Sequence, residues 1–229
     1  MTQIVNPEMV TLAREFRGLT QEQLGRAIGV TQAKIAKIEG GLQPELTDAH
    51  AEFLCSALAF PLNFFQQNEE LLGWGSSAYY YRKKAYITAA DRKRIQGQVN
   101  IARIHIKKFL QSVEIENTRE LPVLDLDDYS GSPIQAARAM RPYWGLPDGP
   151  IKNVTALLES AGIIIVPIDF GTRSMDATSL RLNGFPPIVF INFAIPSDRW
   201  RWTLVHELAH LLMHQIPTRS EERRVGKEC

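Results

Sequence analysis

Apolar positions three and four residues apart fill residues 9–65, interrupted by Gly29 and by Gly40-Gly41, which is the pattern of short helices joined by tight turns. Thr20 and Thr31 stand as N-caps ahead of two of these stretches, and Glu22 or Gln23 is placed to return the first capping bond. They predict helices through residue 27 and through residue 39. In the second, Ile35 and Ile38 point inward with Val30, and Gln32, Ala33, Lys34 and Lys37 point out. After a Gly- and Ser-rich loop at residues 73–77, Thr88 caps a much longer helix over residues 89–113. Its stripe of Ile95, Val99, Ala102, Ile106 and Leu110 must dock on a second domain or on another copy of itself. Beyond Pro122 the periodicity predicts helices at 133–143 and 151–160 and strands at 162–166, 178–182 and 188–192. A last helix, free of Gly and Pro over residues 199–216, carries Leu204, Leu208 and Leu211 on one face. The fold class expected is α+β, a helical first part followed by a long connector helix and a mixed second part.

Composition narrows this picture only slightly. A chain of 229 residues with 45% hydrophobic content is globular and long enough for one large domain or two small ones. The 26 basic and 25 acidic residues nearly cancel, so overall charge is silent about partners. Its distribution is not silent. Residues 1–65 hold five basic against seven acidic groups, whereas residues 82–108 hold nine basic groups against Asp91 alone. That basic connector would either supply phosphate contacts the first part lacks or form a solvated helix face. Cys55 and Cys229 leave no disulfide framework, which fits a reducing cytosol. The longest apolar run, residues 161–167, is far too short to span a bilayer, and the chain opens on no basic-then-apolar signal. A cytoplasmic protein with no membrane partner is expected.

Chemistry concentrates in His206-Glu207-Leu208-Ala209-His210. Residues i and i+4 lie one above the other on a helix face, so His206 and His210 are placed to bind one metal ion, with Glu207 beside its open position as general base. A catalytic zinc site takes a third protein ligand. His214 lies a full turn beyond His210, too far along the axis to close a compact shell, and reads as a residue outside the metal's ligands. Glu221 and Glu222 fall where a following helix would fold back, but residues 219–229, RSEERRVGKEC, back-translate without strain to a common sequencing-library adapter. The expectation is that this tail is non-native and that the third ligand is missing from the chain.

Two resemblances follow from quoted residues. Arg17-Gly18-Leu19-Thr20-Gln21-Glu22-Gln23-Leu24, then Ile28-Gly29-Val30-Thr31-Gln32 and Ile38-Glu39-Gly40-Gly41, resemble the Xre, lambda-repressor-like DNA-binding domains over about the first 65 residues. The resemblance implies a five-helix domain in which Gln21 contacts the DNA backbone and braces Gln32, which reads a base. On the outward set, Gln32 suits adenine, Lys34 and Lys37 suit guanine or phosphate, and the Ala33 methyl suits a thymine methyl. The same fold used for protein contacts is the alternative.

Ile188-Val189-Phe190-Ile191-Asn192 followed by Trp202-Thr203-Leu204-Val205 and the His-Glu-Leu-Ala-His run resembles the ImmA/IrrE metallopeptidases, and Tyr81-Arg82-Lys83 before a long helix looks like the connector of members fused to an Xre domain. This implies a zincin-like α+β domain with His206 and His210 on zinc (manganese being the other candidate metal) and Glu207 as base. It also implies that residues 188–192 lie beside the cleft, where an extended substrate would add as a strand. The division expected is residues 1–70 for DNA binding, 71–118 for the connector, 119–218 for an incomplete peptidase domain and 219–229 for the non-native tail. The function implied is a DNA-binding regulator whose zinc peptidase domain cleaves a repressor or related protein. The alternative is a transcription factor whose peptidase-like half senses a ligand without cleaving. The expected partners are a double-stranded DNA operator, a protein substrate such as a repressor, and a second copy, since helix-turn-helix domains commonly bind paired half-sites.

Overall fold

The computed structural model describes residues 2–73, 79–81 and 87–213. Residues 74–78, Arg82, Lys83, Lys84, His214 and the 219–229 tail lie outside the described residues, and with them the expectations that rest on them. The described chain forms two compact units, one from residues 2–73 and 87–112, the other from residues 79–81 and 113–213.

The first unit is helical. α1 (Pro7–Phe16), α2 (Gln21–Ile28), α3 (Gln32–Glu39), α4 (Asp48–Leu58) and α5 (Leu62–Phe65) enclose a core that includes Met9, Leu24, Ile28, Ile35, Leu54 and Phe65. The predicted caps are present: Thr20 and Gln23 form a reciprocal capping box on α2, and the Thr31 hydroxyl accepts from the Lys34 N–H at 3.2 Å. Gly29 ends α2 in the left-handed region, φ 73°. Gly25 is required by packing, because a Cβ there would stand 2.8 Å from the Val30 carbonyl oxygen where α2 meets the turn into α3. Two short strands not foreseen from periodicity, β1 (Thr2–Ile4) and β2 (Glu45–Thr47), pair antiparallel. At three residues each they are too short for an alternation to register.

The long helix, α6 (Ala89–Leu110), joins this first unit as a sixth helix beyond the five expected. It packs on α1, and of the predicted stripe Ile95 and Val99 are buried while Ala102, Ile106 and Leu110 are half-buried. Gly97 lies so close to α1 that a Cβ would meet the Phe16 backbone nitrogen at 2.9 Å, and Ile101 and Ile104 enter the core. Beside them the buried Asn100 amide donates to the Leu72 carbonyl at 3.0 Å, and its oxygen accepts from the Leu72 N–H at 2.9 Å. Arg103, also buried, donates to the Glu70 carbonyl. Polar side chains thus fasten α6, and an apolar-stripe argument cannot see them.

The second unit is mixed. Its sheet has the order β3 (Tyr79–Tyr81), β5 (Ala177–Leu182), β6 (Phe185–Asn192), β4 (Ile164–Ile168). β5 runs antiparallel to both β3 and β6, and β4 runs parallel to β6. The 3-10 turn at Leu126–Tyr129 precedes α7 (Pro133–Tyr143), then α8 (Val154–Ser160). α8 starts later than its pattern suggested because Asn153 is the cap, accepting from the Ala156 N–H at 3.0 Å. α9 (Ser197–Met213) lies on β5 and β6, and Leu204, Leu208 and Leu211 enter the core with Leu158, Val189 and Ile191. The class is α+β, as the sequence predicts.

One expectation is corrected. β6 is not available for strand addition by a substrate, because Ile188–Asn192 is paired with β4 on one side and β5 on the other. With both ladders filled, its backbone groups have no vacancy for a further chain.

Candidate functional site

In the first unit, α3 presents Gln32, Ala33 and Lys37 to solvent, and Lys34 is half-buried with its Nζ donating to Gln43 Oε1 at 3.5 Å. Behind them runs a polar chain. Gln32 Nε2 donates to Gln21 Oε1 at 2.8 Å, Gln21 Nε2 donates to Glu39 Oε2 at 2.9 Å, and Arg14 donates to both Glu39 oxygens at 2.5 and 2.9 Å. Arg14 also bonds the Leu19 carbonyl at 2.8 Å, so the ion pair beneath the chain is largely withdrawn from water and fully hydrogen-bonded. Gln21 therefore braces Gln32. Arg14 and Glu39 escaped the sequence reading. They stand 25 residues apart, and only the packing of α1 beside α3 brings them together.

The basic groups of α6 are mostly engaged within their own unit. Lys93 pairs with Glu15 at 3.2 Å, Arg94 with Asp91 at 2.9 Å and Lys107 with Glu69 at 2.8 Å, and Lys108 donates to Gln67. Neither sequence alternative, phosphate contact or merely solvated face, anticipated this fastening role.

In the second unit, α9 carries the second set of candidates. His206 and His210 are half-buried, with their Nε2 atoms 3.1 Å apart and their rings edge to face. Two imidazole nitrogens bound to one zinc at tetrahedral angles lie about 3.3 Å apart, so the pair fits two positions of a metal's shell. Among the described residues, no group of three His, Cys, Asp or Glu side chains stands ready to hold an ion. Glu207 is 1% exposed, facing the sheet, where the buried Ser179 hydroxyl donates to its Oε2 at 2.7 Å. Burial pushes its carboxyl up to about 7, against the opposing pull of hydrogen bonds from the Ser179 hydroxyl and backbone. A carboxyl so poised can hold or release a proton near neutrality.

Ser179 was not foreseen. The only signal was its place on a predicted strand, and the contact spans 28 residues of sequence. Next to Glu207 and His206 opens a cavity of about 410 Å³, lined also by Asp176, Asp198, Arg199 and Trp202.

The comparisons with known proteins divide along the same line. A helix-turn-helix domain model matches residues 10–63, and a peptidase-family model described as an IrrE N-terminal-like domain matches residues 158–227. Both halves of the predicted fusion are found. The IrrE-like match begins within α8, takes in β4, β5, β6 and α9, and extends over most of the tail set aside as adapter-derived. No curated protein and no solved structure matches the chain. The helix-turn-helix match supports DNA-binding regulation, and the IrrE-like match supports a peptidase-like second half of a class that generally uses zinc. No helix among the described residues is long and apolar enough to cross a membrane.

Proposed function

We propose that the protein is a DNA-binding regulator whose second unit is a zinc peptidase of the ImmA/IrrE kind, acting on a repressor or a related regulatory protein. The observation that carries this reading is the His206–His210 contact of 3.1 Å with a buried, Ser179-held carboxyl on the residue between them in sequence, Glu207. His206 and His210 would hold the ion, zinc or else manganese, as two of its protein ligands. When bound, such an ion supplies Lewis-acid activation of water and of a substrate carbonyl. Glu207 takes a proton on its carboxylate and returns it to the leaving amine, while Ser179 keeps Oε2 fixed and the protein around it excludes water. In the first unit, Gln32, Ala33, Lys34 and Lys37 face the major groove and Gln21 touches the DNA backbone, with two copies on paired half-sites.

The second reading, a sensor that no longer cleaves, is favoured by one feature. A largely apolar cavity of about 490 Å³ lies against α9 and is lined in part by Val205, Leu208, Ala209 and Leu212. The size and lining suit a small apolar ligand.

A Glu207→Gln variant separates the readings when tested against the repressor encoded beside the parent gene. The peptidase reading expects cleavage by the parent protein and a loss of at least about 100-fold in the variant. Cleavage unchanged in the variant removes Glu207 from the role of base, and no cleavage by the parent protein favours the sensor.

A further inference from the structure

Asp198, Trp202, His206 and His210 recur every fourth residue along α9 and so share one face of that helix. The first three also line the cavity beside Glu207. Trp202 is 78% exposed, an unusual position for an indole unless something stacks on it. Of the charged groups lining this cavity, Arg199 and Asp176 neutralise one another at 2.9 Å. Asp198, by contrast, is exposed and makes no ion pair with any described residue. The nearby Arg201 is turned away, donating to the Ile151 and Lys152 carbonyls. What remains among the described residues is an exposed aromatic side chain one turn from an exposed carboxylate that none of them pairs.

The geometry points to Trp202 and Asp198 as a subsite that selects a cationic side chain, lysine or arginine, in an extended polypeptide bound along α9. The inference rests on the peptidase reading for the direction of the chain, but not for the recognition itself. A cation over an indole face is attracted by the ring quadrupole, and a carboxylate one turn away reinforces it. One helical turn advances about 5.4 Å, and two extended residues span about 6.6 Å. The selected side chain therefore belongs two residues from the peptide bond lying over His206. A guanidinium gains the most, because its plane stacks on the ring while its edge meets the carboxylate.

The test uses the metal-free full chain and two probes, acetyl-Ala-Ala-Arg-Ala-Ala-amide and its citrulline counterpart, which keeps the shape and lacks the charge. Affinities are read by ligand-observed NMR titration. The arginine peptide is expected to bind about 5-fold more tightly, and Asp198→Asn should reduce that preference, leaving the share that the indole supplies. Trp202→Ala should weaken both peptides, and Trp202→Phe should recover part of the loss. Equal affinities in the parent protein, or a preference that Asp198→Asn leaves undiminished, overturn the subsite. A Glu207→Gln chain should keep the preference. Preference in this titration with no cleavage of the repressor by the metal-loaded parent protein sinks the peptidase reading and leaves the subsite standing, and repressor cleavage without preference does the reverse.

Discussion

At the scale of single residues, Glu207 shows how burial and one hydrogen bond set a chemical property. Its carboxyl is enclosed between α9 and β5, and desolvation outweighs the Ser179 bonds, so the proton is held up to about pH 7. A group whose folded pKa exceeds its unfolded value contributes stability below the unfolded pKa and loses it as pH rises through the folded one. In the metal-free protein, stability should therefore fall as pH rises from about 4.5 to about 7 and then level off. The loss is at most about 3 kcal/mol, and Glu207→Gln should flatten that part of the profile. Urea melts across this range check it, and an identical slope in the variant would show that another group is responsible. The sequence marks Glu207 as the expected base because the spacing of the motif is local. It did not identify Ser179, because nothing near position 179 marks which strand residue will meet a helix 28 positions later.

At the scale of elements, α6 is the instructive case. Its extent was legible: Thr88 caps it, its Asp91 N–H donating to the Thr88 hydroxyl at 3.0 Å, and no proline interrupts it. Its buried surface was legible only in part: Ile95 and Val99 of the stripe are buried, but Gly97, Asn100 and Arg103, also buried, read as weak or polar positions on a helical wheel. Gly97 is the closest point of approach, with the Phe16 backbone in the way of any Cβ. Gly97→Ala should destabilise the first unit by about 1–3 kcal/mol despite the better helix propensity of alanine, because the obstacle is backbone and cannot rotate aside. A urea midpoint equal to or above that of the parent protein would mean that α6 is free to shift. α9 behaved differently. Its core-facing leucines and its two histidines were both assigned from periodicity alone, and the structure places the leucines in the core and keeps the histidines half-buried.

At the scale of the whole molecule, charge distribution decides how the DNA-binding half is to be tested. The basic connector left two readings open, phosphate contacts or a solvated helix face, and Lys93 and Arg94 are paired with Glu15 and Asp91. Replacing Arg92, Lys93 and Arg94 together by alanine should lower the slope of log affinity against log salt by at most about one, not by the roughly three units expected of three phosphate contacts. A fall near three in a DNA titration would show that these ion pairs open on binding.

The division between what sequence and tertiary structure decide follows from range. Caps, turns, helix periodicity and the His206–Glu207–His210 spacing are written within a turn or two of chain, so the two-part architecture, the helix-turn-helix and the metal-binding pattern were available from the residues in order. The Arg14–Glu39–Gln21 brace, the Ser179 bond to Glu207, the docking face of α6 and the central place of β6 depend on which surfaces meet. Those were settled only when apolar burial and the satisfaction of buried polar groups chose one packing from many.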